Sequence, residues 1–272
     1  MQILPIVCTN KLNFTSNAGN ISTTPRMQTP ADSFECSKKS PSPTSGVNSK
    51  TVELFLNTDY TPKIEPKKGY LRSFVFDRET LEPVDIYIQC VKENLQEKEY
   101  HLFRKNSDGG LKLVGMRSMT FDTINKKIAP GSMESFDKTL VGPGVIEHLL
   151  AVKEMEKKGY KGIKLSSLPD AYAFHKKLGF QSTDYCVFKS NSMMANFIAN
   201  WGHILKTDDN TILQMLVRKN GMLNYNKTLE NFVIFAKEHD RTLPYGVRIE
   251  MELALQALNE LKNLIKSKKL II

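Results

Sequence analysis

The sequence predicts an α/β (α+β) fold: a mixed sheet with a central helix, followed by a helical C-terminal region. Three observations lead there. Short apolar runs with strand-like alternation fill residues 70 to 116. The period changes to that of a helix after Pro143-Gly144, and strand and helix signals then alternate to residue 188. Beyond Asn191 the spacing is helical throughout. Runs of strands followed by alternating strands and helices define this class.

The 272 residues suffice for one ordinary domain with extra material. Hydrophobic residues make up 40% and charged residues 25%, the balance of a soluble globular protein. The net charge of +9 is spread along the chain rather than gathered in a stripe. Aromatic and basic residues are not interleaved, so nucleic acid is not an expected partner. The field suits an anionic substrate in general. Cys8, Cys36, Cys90 and Cys186 are widely spaced and form no C-x-x-C pair. No metal site and no disulfide framework are expected, and a reducing, cytoplasmic location is. No run approaches the ~20 apolar residues of a membrane span. Met1 to Cys8 lacks the basic start and the length of a signal peptide.

Residues 1–50 read as a disordered tail rich in Ser, Thr, Asn and Pro, unable to bury enough apolar surface to order itself. Residues 51–189 form the expected α/β domain. Within it Val52 to Leu56, Tyr70 to Phe76 and Val84 to Val91 read as strands. Tyr100 to Arg104 and Leu111 to Met116 flank Asn106-Ser107-Asp108-Gly109-Gly110, the clearest hairpin of the chain. Val145, Leu149, Val152 and Met155 follow helical spacing, and Lys157-Lys158-Gly159 is a helix stop. Ile163 and Leu165 mark a strand, Ala171 to Leu178 a helix closed by Gly179, and Tyr185 to Phe188 a further strand.

Residues 190–272 are expected to be helical, near 191–205, 209–219, 227–240 and 246–267. Asp208-Asp209-Asn210 and Thr228 are candidate N-caps, and Gly221 a candidate C-terminal glycine. Leu253, Ala257, Leu261, Leu264 and Ile265 form an apolar stripe that docks on the domain or on a protein partner.

One segment carries chemistry. Leu140-Val141-Gly142-Pro143-Gly144-Val145 opens a helix, and a helix N-terminus offers unpaired N–H groups and positive dipole character to a phosphate. One helix and one strand later stands Asp170-Ala171-Tyr172-Ala173-Phe174-His175-Lys176-Lys177-Leu178-Gly179-Phe180. Residues 84–188 here resemble the GNAT N-acetyltransferase superfamily. That family opens its central helix with R/Q-x-x-G-x-G/A and reads A-x-x-F-Y-x-K-x-G-F in the next helix. Ala171, Phe174, Lys177, Gly179 and Phe180 match the second pattern, and His175 stands in place of the tyrosine. Val141 replaces the usual Arg or Gln, Ile146 stands where the last Gly or Ala belongs, and Pro143 removes a donor. No second strand after Phe188 completes the family's C-terminal hairpin.

The resemblance implies acetyl-CoA as substrate and acyl transfer to an amine, carried by a small molecule or a protein. It implies His175 as the acid, and Glu134 or Asp137 as the base. A backbone amide at Phe136 or Asp137 would polarise the thioester. Val141, Gly142, Gly144, Val145 and Ile146 would face the pyrophosphate, with the bulk of Ile146 crowding it. The alternative is a non-catalytic GNAT-like scaffold whose C-terminal helices bind protein.

Overall fold

The structure, a computed structural model, describes residues 35–38, 46–268 and 270–271. Thirteen strands and seven helices follow one another along these residues. Strand β1 is Glu35–Lys38 and helix α1 is Lys50–Asn57. Five strands then form a meander: β2 Tyr70–Asp77, β3 Pro83–Glu93, β4 Glu97–Lys105, β5 Leu111–Asp122 and β6 Lys127–Ser135. Short β7 Leu140–Val141 leads into α2 Pro143–Lys157. Next come β8 Gly162–Ser167, α3 Pro169–Lys177, β9 Phe180–Ser182 and β10 Asp184–Val187. The remainder is α4 Asn191–Leu205, α5 Asp209–Met215, β11 Arg218–Lys219, β12 Met222–Leu223, α6 Tyr225–Glu238, β13 Ile249–Leu253 and α7 Leu255–Lys268.

Nine strands make one sheet in the order β7-β2-β3-β4-β5-β6-β8-β13-β9. All pairings are antiparallel except β6 with β8. This is the mixed sheet that the sequence predicts, and α2 is its central helix. Val145, Ile146, Leu149, Leu150, Val152 and Met155 are each at most 1% exposed, so α2 is buried on every side. It packs on β2, β5, β6 and β8, and α7 covers it from outside. A smaller sheet, β1-β10-β12-β11, joins the helical region to residues 35–38.

Several expectations need correction. Residues 52–56 are helix rather than strand. Val52 and Phe55 are the buried pair, and their spacing of three places both on one helical face. Gly221 does not end a helix. With Asn220 it forms the two-residue turn between β11 and β12, both at positive φ (54° and 75°), the geometry that Asn-Gly favours. The N-cap of α6 is Asn224, whose side chain accepts from the Lys227 N–H; Thr228 lies inside the helix and accepts from the Val217 N–H. Asp208 caps α5 as expected, accepting from the Thr211 N–H.

The largest correction falls at 246–267. Ile249, Met251 and Leu253 are buried and alternate with Glu250 and Glu252, which is strand rather than helix periodicity. This strand, β13, inserts between β8 and β9 and pairs antiparallel with both. It supplies the second strand of the hairpin that residues near 188 lack, after a detour through β10 to α6. The C-terminal stretch is therefore part of the main sheet, and α7 is part of its cover.

Most of the tail expected to be disordered lies outside the described residues. Residues 46–49 within it are docked. The Val47 N–H donates to Glu260 Oε2 at 2.7 Å, the Asn48 N–H donates to the Lys177 carbonyl at 2.7 Å, and Ser49 is buried. No helix of the described residues is long and apolar enough to cross a membrane.

A chain ending at residue 248 is predicted to lose cooperative unfolding in urea, because it exposes the inner edges of β8 and β9 and one side of α2. Within the full chain, Met251→Ala is predicted to cost about 2–4 kcal/mol. Leu255→Ala, at a mostly exposed position, should change stability by less than about 0.5 kcal/mol. A parental midpoint for the shortened chain would show that β13 is dispensable.

Candidate functional site

The site begins where β6 and β8 part. These parallel strands pair only at Lys127↔Gly162 and Ile128↔Ile163, although β6 runs on to Ser135 and β8 to Ser167. A bulge in β6 turns the strand at this point. Its register against β5 shifts between Met119↔Pro130 and Arg117↔Met133. Ser118 Oγ fills the space beside Gly131 and accepts from the Ser132 N–H at 2.7 Å. A bulge bends its strand and raises the local twist. Beyond it β6 follows β5 while β8 follows β13, and the two strands diverge on the way to the N-terminus of α2.

Gly142 precedes that helix with φ at 109°, where a side chain is strained, and the ring of Phe55 lies 3.1 Å from where a Cβ would sit. Pro143 occupies the first turn, where its missing N–H costs no helical bond. Gly144 leaves room for the Phe174 ring, 3.0 Å from the position of a Cβ. The N–H groups of Val145 and Ile146 both donate to the Gly142 carbonyl, at 2.9 and 3.0 Å. Expected to lack partners, they are already engaged. Ile146 is fully buried, so its side chain points into the core and does not crowd the opening. Val141 is half-buried on β7, paired with Phe76.

The expected acid and bases are dispersed. Glu134 is exposed on β6 opposite Met116. Asp137 is buried in the following loop, where Lys112 stands 3.0 Å and Arg104 3.3 Å from its Oδ2. Thr139 donates to Oδ1 through its N–H and its hydroxyl. Burial alone would raise the Asp137 pKa, but Thr139, Lys112 and Arg104 outweigh it and hold the group near 2. So firmly held a carboxylate is a poor proton acceptor. The Phe136 N–H is also committed, to the Val114 carbonyl at 3.0 Å, and cannot polarise a ligand carbonyl.

His175 is buried rather than on a helix surface, at 6% exposure. Its Nδ1 lies 3.2 Å from Nε2 of His148, and the rings of Phe174 and Phe180 enclose the pair. Burial, with the nearby positive charge of Arg117, lowers the His175 pKa to about 4 and holds His148 well below the ordinary histidine value. Both rings are neutral at physiological pH.

Sequence reasoning did not find the groups around them. Arg117 on β5 and Glu147 on α2 are at most 1% exposed. Among the described residues, Arg117 Nε and Nη2, both carboxyl oxygens of Glu147 and Nδ1 of His148 have no hydrogen-bond partner. Burial raises the Glu147 pKa to about 8, against the opposing charge of Arg117 and with a small addition from Glu134. Buried polar groups are normally paired, and such a concentration of unpaired ones makes this cluster a candidate site. The available signal was local: Glu147-His148 interrupts the run of apolar residues from Val145 to Val152.

No family model matches the chain, and no curated protein does so significantly. Among solved structures it is similar to nourseothricin acetyltransferase, at 15% identity and a TM-score of 0.28, with 55% of this chain and 84% of that one covered. It is also similar to the IAA acetyltransferase from Bacillus cereus ATCC 14579, at 13% identity and a TM-score of 0.31, covering 58% of this chain and 77% of that one.

The buried cluster predicts a pH dependence. Glu147 keeps its proton up to about pH 8 when folded, against an ordinary value of 4.5, so stability falls as pH rises through that window. His175 and His148 act in the opposite sense. His175 is neutral when folded and protonated when unfolded between about pH 4 and 6.5, and His148, also lowered, acts in the same sense below 6.5, so stability rises there. Between pH 6.5 and 8 Glu147 acts alone in this cluster. Urea denaturation should show stability declining across that range, by at most about 1.4 kcal/mol per pH unit. Glu147→Gln should flatten the decline. A flat parental profile would mean that Glu147 is ionised in the fold.

Proposed function

We propose that this protein is an acyl-CoA-dependent N-acyltransferase, moving an acetyl group from acetyl-CoA to an amine of a small molecule or a protein. The observation that carries this reading is the parting of β6 and β8 beside the glycine-bearing N-terminus of α2. A long, thin thioester arm fits between strands that no longer pair. The diphosphate of the same ligand needs the positive end of a helix, and the net charge of +9 favours its approach. Gly142 and Gly144 bring backbone closest to such a ligand, and Val141 borders it.

In the transfer, the amine nitrogen attacks the thioester carbonyl carbon. The C–N bond forms as the C–S bond breaks, and the electron pair of that bond leaves on sulfur. The amine proton must go to a base, and the thiolate must gain a proton. We assign the base to Glu134, alone or through water, because Asp137 is held by two cations. His175, neutral, is assigned as a hydrogen-bond donor to the leaving sulfur, and the thiolate takes its proton from solvent. If His148 donates its Nε2–H to Nδ1 of His175, the His175 proton sits on Nε2, free to be shared with sulfur. An amide N–H at Asp137, rather than at Phe136, is left for the thioester oxygen.

One set of observations favours a second reading, a non-catalytic scaffold whose α4 to α6 region binds protein. The Val145 and Ile146 N–H groups are engaged, Pro143 has none, and the Phe174 ring closes over Gly144. Calorimetry with CoA separates the two readings. Gly144→Glu is a poor probe, since its side chain would strike Phe174. Val141→Arg and Val141→Glu place opposite charges at the same half-buried rim. The arginine variant should bind CoA at least about tenfold more tightly than the glutamate variant, a difference of about 1.4 kcal/mol. At a ligand concentration of about 100 Kd, CoA should stabilise the parent by about 2.7 kcal/mol. Equal affinities in the two variants would place CoA elsewhere. No binding by the parent would favour the scaffold.

A further inference from the structure

A second site lies at the opposite end of α2. Lys153, Glu154 and Lys157 on its last turns face a cavity of about 590 Å³ against the sheet, walled by Leu71, Ile88 and the ring of Tyr100. Eleven residues separate Glu154 from the first residue of α2, Pro143, about 16 Å along the axis, so this cavity is distinct from the opening at Gly142 to Gly144. Its volume is that of a small-molecule pocket.

The polar groups define what it takes. Oε1 of Glu154 accepts from Lys98 Nζ at 3.1 Å and from the Tyr100 hydroxyl at 2.7 Å. Lys98 also pairs with Glu93 at 3.1 Å, so both carboxylates share one ammonium. Oε2 of Glu154, on a residue only 3% exposed, has no partner among the described residues. It calls for a hydrogen-bond donor, because a buried acceptor left unpaired is costly. The other two lysines feel the charges of Glu154 and Glu93 but make no ion pair within 4 Å among the described residues. Lys153 Nζ donates to the neutral Ile271 carbonyl at 3.2 Å, and Lys157 makes no ion pair within 4 Å among the described residues. Partial burial lowers the Lys153 pKa against the opposing charge of Glu154, and the neighbouring charges of Lys157 and Lys98 add to the lowering. The walls between these groups are apolar.

We propose that this cavity binds a small organic carboxylate, its anionic head between Lys153 and Lys157, its apolar body against Leu71, Ile88 and Tyr100, and a hydroxyl or amino donor on Oε2 of Glu154. The site stands apart from the proposed acyl transfer and requires neither CoA nor turnover.

Calorimetry on the full chain without CoA tests it. The probe is 3-(4-hydroxyphenyl)propanoate, compared with its methyl ether, which lacks the donor, and its carboxamide, which lacks the charge. The phenol carboxylate should bind, and each analogue should be weaker by about tenfold or more. Lys157→Glu, at an exposed position, should weaken the probe about tenfold without changing the melting temperature, whereas Lys206→Glu at the end of α4 should leave it unchanged. Absence of binding at about 5 mM probe, or equal affinity of the three compounds, overturns the proposal. So does an affinity indifferent to Lys157→Glu. None of these results depends on whether the protein transfers acyl groups.

Discussion

Everything in this fold answers to the burial of α2. Its buried positions lie on every side of the helix, so it cannot rest on a surface and needs cover all round. The sheet provides one wall, α1 reaches over Gly142 with Phe55, and α7 closes the outside. That requirement explains why the chain returns from a long helical excursion to add β13 and α7. Without them α2 would present a bare flank, and β8 and β9 would face each other across a missing strand.

The same helix carries polar side chains into the interior, and its two halves treat them differently. In the C-terminal half, Glu154 has Lys98 and Tyr100 on one oxygen, an arrangement in which one ammonium serves two carboxylates. In the N-terminal half, the Glu147 carboxyl has no hydrogen-bond partner among the described residues and keeps a proton instead, while Arg117 stays charged nearby. Removing an ion from water is costly, and a fold can meet that cost by pairing it or by neutralising it. Here one helix shows both answers, and a proposed ligand site adjoins each.

Much of the fold was legible. The hairpin around Asn106 to Gly110, the helix opening at Gly142-Pro143-Gly144 and the helix closed by Gly179 all carry local punctuation. The strand at 249–253 is not apparent in the sequence, because its alternation spans five residues and its last residue, Leu253, also fits the helical spacing of the apolar residues of α7 that follow. The Asn220-Gly221 turn was read as a helix end, since either glycine role demands positive φ. For the site, the glycine turn was visible and the resemblance located His175. The direction of Ile146 was not visible, because only helix phase shows that it faces the core. Nor was the gathering of Arg117, Glu147, His148 and His175, which come from three elements and meet only in the folded chain.

The excursion between β9 and β13 has a consequence for how this chain emerges from the ribosome. The β2 to β6 meander pairs neighbours in sequence and can assemble early. Closing the other half of the sheet requires Met251 to reach Leu165 and Ser182, contacts more than sixty residues apart in sequence. Until β13 is synthesised, β8 and β9 hold a gap one strand wide, with open backbone edges on both sides. Such edges pair readily with foreign strands. The insertion therefore makes the nascent chain most prone to aggregation late in synthesis, when most of its core residues are already outside.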